Sequence, residues 1–400
     1  MCNGHCACRL LLSNIPANAG STVPPGPRRP RERGAPDIVT PNGPVDAPDV
    51  VDVVALGESM VTFLPTRPGR LADVPSFERG IGGAESNVAC VLAATGHTAR
   101  WVGRVGTDGF GDHLVEAIAA YGVDTSAVRR DPARPTGIYF RTAGDRASDA
   151  HEVAYYRAGS AASAMTKDNV DLDALRSGRV LHLSGITAAL SEDCLGLMRE
   201  LTAPRARRPL VSFDVNHRAG LWRDADGPRV LLDLARGADI VFVGDDEARA
   251  AWGLSGARAI REALPEPAVL VVKQGGDGAT VFERAAAGRA ASEGGQDAPD
   301  TATFVRALRV DVIAAVGAGD AFAAGFLSAT LRALPARERL RHGHLMAAAA
   351  LTVHGDLAAP PSRDHADRLA ALDDDAWETL RLGPGWTEAV TRAQEEVRTP

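Results

Sequence analysis

The sequence predicts an α/β fold: a doubly wound, mostly parallel sheet carrying a small antiparallel β lid. Three observations predict it. Six short runs rich in β-branched and aliphatic residues, VDVVALGE, ARWVGRVG, RVLHLSGI, PLVSFDVN, ADIVFVGD and AVLVVKQG, read as strands buried on both faces. Helix-period segments such as GDHLVEAIAAYG and GPRVLLDLARG separate most of them, and strands alternating with helices make a parallel sheet whose ligands sit at the carboxyl ends of the strands. Two further stretches, MVTFLP to FERG and TGIYFRTAG to HEVAYYRAG, alternate polar and apolar residues, as half-exposed antiparallel strands do.

Taken in order, residues 1–49 stand apart. STVPPGPRRPRERGAP and PNGPVDAP are rich in Pro, Gly and Arg without periodicity and bury too little to offset the entropy of ordering. They predict a disordered leader, or an extension from a wrongly chosen start codon. Cys2, Cys6 and Cys8 lie there without a second ligand pair at zinc spacing, so incidental cysteines are favoured over a metal site. The ordered body is expected over residues 50–362, with lid strands from about 59–82 and 134–159. AAAGRAASEGGQDAPD reads as a mobile loop among the later strands, and residues 363–400 as a helical tail whose DDDAWETLRLGPGWTEAVTRAQEEV holds two short helices.

Composition narrows the function classes. A chain of 400 residues, 45% hydrophobic and 24% charged, is long enough to bury a substantial core. Its net charge is −7 and its basic residues are scattered, which argues against nucleic acid as a partner. The longest apolar candidates, such as HLMAAAALTVHG, fall short of the ~20 residues that cross a bilayer, and no charged start precedes an apolar core as in a secretory signal. No membrane partner is expected. Five cysteines, with Cys90 and Cys194 in apolar helical contexts, make no disulfide framework for a chain of this size; a cytoplasmic location is expected.

The chemistry collects at the ends of strands. VGAGDAFAAGF places Gly317, Ala318 and Gly319 at the mouth of an apolar helix-period run, so that the helix begins with unshielded N–H groups and the positive end of its dipole. That is a site for an anion such as phosphate, with Asp320 in the first turn beside it. GIGGAESNVA sets Gly82 and Gly83 ahead of a helix carrying Asn87. FDVNHR ends a strand with Asp214, Asn216 and Arg218; DDEA follows another with Glu247; VKQGGDG follows a third with Lys273, Gly275 and Gly278. No GxxxxGKS/T motif occurs, so a Walker-type loop is excluded as the nucleotide site.

These motifs, in this order, resemble the ribokinase-like (PfkB) family of sugar kinases over roughly residues 51–362, and the pairing of GGAESNVA with GAGDAFAAGF a domain apart is specific. Within the family, YYRAGSAAS, FDVNHRAGLW and HLSGI look most like 2-keto-3-deoxygluconate kinase. The resemblance implies a ribokinase-like fold and ATP-dependent phosphorylation of that sugar acid at its C6 hydroxyl, with Mg²⁺ arriving on the nucleotide. By resemblance, Asp320 is the catalytic base and the amides of Gly317, Ala318 and Gly319 form the anion hole. Gly82, Gly83, Asn87, Tyr139, Tyr155 and Arg157 are implied on the sugar-acid side, and Arg218 is implied to reach across to the sugar acid or the phosphate. Lys273, Gly275 and Gly278 would border the nucleotide, and Glu247 would position the magnesium through water.

Two departures bear on this. The Asp and Thr that the family carries before the glycine loop are Ala314 and Ala315 here, which leaves dependence on a monovalent cation open. The usual Asn three residues before the magnesium-associated Glu is Gly244. Two alternatives stand beside the sugar-acid kinase: a fructokinase or ribokinase-like enzyme acting on a neutral sugar, and a weakly catalytic sugar-binding sensor or interaction protein. Exposed lid strands also predict a homo-oligomer paired through the lid.

Overall fold

A computed structural model describes residues 50–142, 152–222, 226–284 and 300–388. The expected leader, the mobile loop apart from Asp300 and the last twelve residues of the tail lie outside the described residues. The six predicted runs lie side by side in an eight-stranded sheet, ordered Thr301–Arg306, Gly278–Glu283, Val269–Lys273, Ile240–Gly244, Leu210–Asp214, Gly178–Ser184, Val51–Leu56 and Ala99–Val102. Every pairing from Ala99–Val102 to Val269–Lys273 is parallel. Gly278–Glu283 and Thr301–Arg306 extend the sheet antiparallel at one edge.

The alternation of side chains along each strand feeds two cores, one on each face. Val53 and Ala55 join one buried cluster, whereas Val54 and Leu56 join the other. Ile240 and Phe242 divide from Val241 and Val243 in the same way, which is why such strands are apolar throughout. The first cluster holds the helices Ala84–Ala94, Ala318–Leu331 and Ala336–Leu351, and the second holds Glu192–Thr202 and Gly227–Arg236. Helices on both faces make the sheet doubly wound.

One predicted strand is broken. ARWVGRVG divides at Gly103 into Ala99–Val102, in the main sheet, and Arg104–Gly106, which pairs with Arg129–Asp131 outside it. A β-carbon at Gly103 would lie 2.7 Å from the Trp101 ring, whose Nε1 donates to the Gly57 carbonyl at 3.2 Å. The bend belongs to a glycine packed under a tryptophan.

The lid is a separate four-stranded sheet, ordered Phe77–Gly82, Met60–Pro65, Ile138–Arg141 and Val153–Tyr156. Its outer pairings are antiparallel as expected, but the central one, Met60–Pro65 with Ile138–Arg141, is parallel. The two central strands come from distant parts of the chain with a helix-containing crossover between them, and such a connection permits parallel pairing where a hairpin does not. Phe63 stacks on Phe140 at 4.7 Å, while the alternate residues Tyr139 and Arg141 are buried against the body.

Part of the tail belongs to the core. The helices Arg363–Ala370 and Asp374–Thr379 are followed by a two-residue strand, Arg381–Leu382, paired with Arg309–Val310, and then by a 3₁₀ turn at Trp386–Glu388. The second expected helix falls mostly beyond residue 388, outside the described residues. Trp377 and Trp386 are both buried, and the Trp377 ring N–H donates to the Arg306 carbonyl at 3.0 Å. Cys90 and Cys194 are buried free thiols. Among the described residues, no helix is long and apolar enough to cross a membrane.

Candidate active site

The carboxyl ends of the parallel strands and two helix starts converge on Asp320. Gly317 opens the helix Ala318–Leu331 with φ +77, and a β-carbon there would lie 2.2 Å from the Asp356 carbonyl oxygen. Only glycine suits that turn. Among the described residues no side chain caps the helix, so its first N–H groups and its dipole face the space beside Asp320. The side chains of Lys273 and Asp214 stand next to this turn: Lys273 Nζ lies 3.5 Å from where a Gly319 β-carbon would be, and 2.9 Å from Asp214 Oδ2. Burial opposes the charge on Lys273, but Asp214 and then Glu247 outweigh it and hold the ammonium above its usual range. A fixed positive charge thus adjoins the helix terminus.

Asp320 is half-buried and accepts a hydrogen bond from Asn87 Nδ2 at 2.8 Å. Burial pushes its carboxyl up to about 7, against the pull of Asn87 and with a further push from Asp214. Asn87 Oδ1 has no hydrogen-bond partner among the described residues. Asn87, Gly317, Ala321 and Asp356 line a small cleft with apolar residues such as Val91 and Met346. Asp320, Gly317, Ala318, Gly319, Asn87 and Lys273 are therefore brought together.

Gly82 and Gly83 adjoin the same cluster. A β-carbon at Gly82 would meet the Tyr139 hydroxyl at 2.2 Å and Asp356 Oδ2 at 2.7 Å; one at Gly83 would meet the Glu58 carbonyl at 2.6 Å. Tyr139 donates its hydroxyl to Asp356 Oδ2 at 2.7 Å, so the proton expected for a sugar is engaged by an acid. Burial, reinforced by Asp356, raises the Tyr139 hydroxyl well above its usual range and keeps it a donor. Arg157 is likewise engaged: its guanidinium pairs with buried Glu58, whose other oxygen accepts from Ser160 Oγ at 2.7 Å. It lies 5.6 Å over the Tyr155 ring, which is itself 5.4 Å from Tyr139 and largely exposed. Arg157 thus stands beside the two tyrosines, as expected in place, and it is paired with Glu58.

Glu247 stands in the first turn of the helix Asp245–Trp252, where Oε2 accepts from the Gly244 N–H at 3.0 Å. Oε1 lies 3.5 Å from Nη1 of exposed Arg218. Arg218 is thereby placed beside Glu247. Gly275 and Gly278 shape the turn after Val269–Lys273 with φ +58 and +141, and Gly278 backs onto the Val305 carbonyl. A β-carbon at Gly275 would meet nothing within 4 Å, and one at Gly278 would meet Val305 and Phe304.

Several site residues escaped the sequence reading: Glu58, Glu85, Arg141 and Asp356. Glu85 is buried, accepts from Thr187 Oγ1 at 2.6 Å, and is pushed by burial up to about 8. The period-two spacing of Tyr139 and Arg141 was the available signal that both face one side. Asp356 had none beyond a Gly-Asp turn.

A pH dependence of stability follows. Asp320 rises from an ordinary 3.8 to about 7 and Glu85 from 4.5 to about 8, so the folded chain holds both protons where the unfolded chain has lost them. From these two groups, stability is greatest below about pH 4 and falls as pH rises toward about 8. The urea midpoint of Glu85→Gln is expected to fall less between about pH 5 and about pH 8 than that of the parent; equal declines would refute the assignment.

A profile of the pfkB family carbohydrate kinases matches residues 51–363. The 2-dehydro-3-deoxygluconokinase of Thermoproteus tenax is 33% identical over 331 residues, 82% of this chain and 96% of that protein. The probable fructokinase-6, chloroplastic, of Arabidopsis thaliana is 31% identical over 330 residues, 78% of this chain and 80% of that protein. Among solved structures, a PfkB protein from Polaromonas sp. JS666 superposes with a TM-score of 0.68 at 33% identity, covering 80% of this chain and 99% of that one. With a glycine-opened helix terminus, a neighbouring carboxylate and a match over residues 51–363, the chain belongs to the pfkB family of carbohydrate kinases.

Proposed function

We propose that the chain transfers the γ-phosphoryl group of ATP to the C6 hydroxyl of 2-keto-3-deoxygluconate, also called 2-dehydro-3-deoxygluconate. The observation that carries this reading is the placement of Asp320 between Asn87 and the bare terminus of Ala318–Leu331, with Lys273 alongside. Phosphoryl transfer asks for positioning, neutralisation of spreading negative charge and removal of one proton. Asp320 takes the proton from the attacking hydroxyl, which becomes acidic as it bonds to phosphorus. The amides of Gly317, Ala318 and Gly319, with Lys273, receive the charge; Gly275 and Gly278 border the nucleotide.

Magnesium fits this chain in one way. Among the described residues no three acidic, His or Cys side chains gather to hold a metal. Glu247 offers one carboxylate, with one oxygen committed to Gly244 and the other only loosely paired with Arg218. A magnesium ion brought by the nucleotide and keeping its waters needs no more, and when bound it supplies neutralisation of phosphate charge.

The sugar acid is favoured because Arg157 lies with Tyr155 and Tyr139, and its Nε is buried with no hydrogen-bond partner among the described residues. A guanidinium has five donors and serves two carboxylates. The second reading, a neutral sugar, is favoured by Glu58, which already neutralises Arg157. A coupled assay on a panel of sugars and sugar acids separates them. Arg157→Ala is expected to raise KM for the acid about 10- to 100-fold, the worth of a hydrogen bond to a charged group, and to change KM for a neutral sugar far less. Because both values come from one protein, damage to the fold cancels in their ratio. An equal rise for both would sink carboxylate recognition.

A second copy of the chain is expected to pair through the lid, whose edge strand Val153–Tyr156 leaves Tyr155 and Tyr156 exposed.

A further inference from the structure

We propose that Asp356 is a positioning residue that fastens the lid to the glycine turn at Gly317, so that the seating of the strand Ile138–Arg141 fixes the aim of the helix amides. This rests on the reading of that turn as the phosphate-receiving site.

The fastening is built from both sides. From the lid, Tyr139 donates to Asp356 Oδ2 at 2.7 Å and Arg141 donates to Oδ1 at 2.6 Å. Arg141 also reaches the His354 carbonyl at 3.2 Å, gripping the loop at a second point. Tyr139 and Arg141 are alternate residues of one strand, so both side chains fall on the face turned to the body. Gly82, at the end of another lid strand, packs so closely that a β-carbon would touch both the Tyr139 hydroxyl and Asp356 Oδ2. From the body, the Asp356 main chain lies directly against Gly317, whose left-handed turn points the helix terminus at the site.

The chemistry is unusual for mere packing. The side chains of Arg141 and Asp356 are 3% and 4% exposed, and two charges withdrawn from water are costly to keep unless the geometry is well satisfied. An apolar contact would join lid and body more cheaply but without direction. Three hydrogen bonds converging on one carboxylate and its loop admit one seating of the lid, and the same residue's backbone supports the turn. Displacement of the lid therefore tilts the amides, and binding on the lid side is communicated to the phosphate side through Asp356.

Asp356→Asn in the full chain tests this, assayed with whichever sugar of the panel is turned over fastest. Its kcat is expected to fall about 10- to 100-fold, the cost of a small misplacement, with KM for ATP changed by less than about three-fold. Amide hydrogen exchange is expected to quicken both at residues 138–141 and at 317–321, while the helix at 192–202, on the other face of the main sheet, exchanges as in the parent. A kcat within about a factor of two of the parent would overturn the proposal, as would exchange that quickens equally at 192–202, since the variant would then be destabilised throughout. If Asp356→Asn does not fold, Arg141→Lys, which keeps the charge and loses the two-point grip, is judged by the same criteria. Asp320→Asn is run in parallel: parent-like turnover there would remove the phosphate-site reading, and the fastening would then be judged on exchange at the two segments alone.

Discussion

Asp320→Asn is expected to leave a folded protein whose turnover falls about 10²- to 10⁴-fold, the range that a positioned general base supplies. The amide occupies nearly the same volume, and its oxygen still accepts the Asn87 Nδ2 hydrogen bond now made at 2.8 Å. What is lost is the ability to take a proton. The stability of the variant should move the other way. Burial holds the parent carboxyl near 7, so above that pH the folded chain carries a charge its surroundings disfavour, and the amide removes that cost. At about pH 8 the urea midpoint of the variant is expected to equal or exceed the parent's, a trade of stability against activity at a functional site. The rate profile supplies a third reading. For the parent, kcat/KM should climb with pH to a plateau above about 7, because only the ionised carboxylate accepts the proton, and the residual rate of the variant should lack that limb. A variant that unfolds would leave the role undecided, but unimpaired turnover in a folded Asp320→Asn would remove Asp320 from proton transfer altogether.

How much of this could be seen in the sequence depended on the range of the interactions. The strand Ile240–Gly244 is buried along its whole length, and five apolar or small residues in a row announce that without reference to anything else. The turn at Gly317 is equally local: a glycine, two small residues and an acid before an apolar helix specify an open helix terminus within one stretch of chain. Lys273 was legible as the end of a strand but not as the neighbour of Gly319. Its position follows from the parallel register, which sets Gly244 beside Lys273 and Phe242 beside Asp214 and so carries the strand ends to one edge of the sheet. The engagements of Tyr139, Arg141 and Arg157 were not legible. Asp356 lies 217 residues from Tyr139 and 215 from Arg141, and only the docking of the lid brings them together. The same holds for Glu58, which follows the first strand and meets Arg157 across the lid. Side-chain partners made by tertiary docking leave no periodicity behind, so the carboxylate paired with Arg157 could not be read from the sequence.

Gly317→Ala should be the more damaging of the glycine variants, because two separate costs meet at one residue. With φ at +77, alanine is held in a conformation that costs an L-residue roughly 1–2 kcal/mol. Its methyl would also lie 2.2 Å from the Asp356 carbonyl oxygen, which is main chain and cannot swing aside as a long side chain does. Overpacking of that kind adds about 1–3 kcal/mol, and relief requires the turn or the 356 loop to shift. A shift of either re-aims the amides of Ala318 and Gly319, and the loss of one well-placed oxyanion donor costs about 10²- to 10³-fold in kcat. The expected result is therefore a lower urea midpoint together with a kcat reduced by at least about 10²-fold. Gly319→Ala is the informative contrast. Its methyl would stand 3.5 Å from Lys273 Nζ, an ordinary contact, and residue 319 lies within the helix, so stability should scarcely change. Yet that methyl projects beside the lysine, into the space where phosphate oxygens would approach the amides, and it should depress kcat without unfolding the chain. If Gly317→Ala lost stability but kept its turnover, the turn would be a folding device alone; if Gly319→Ala were as active as the parent, no anion could be closing on that helix terminus during the reaction.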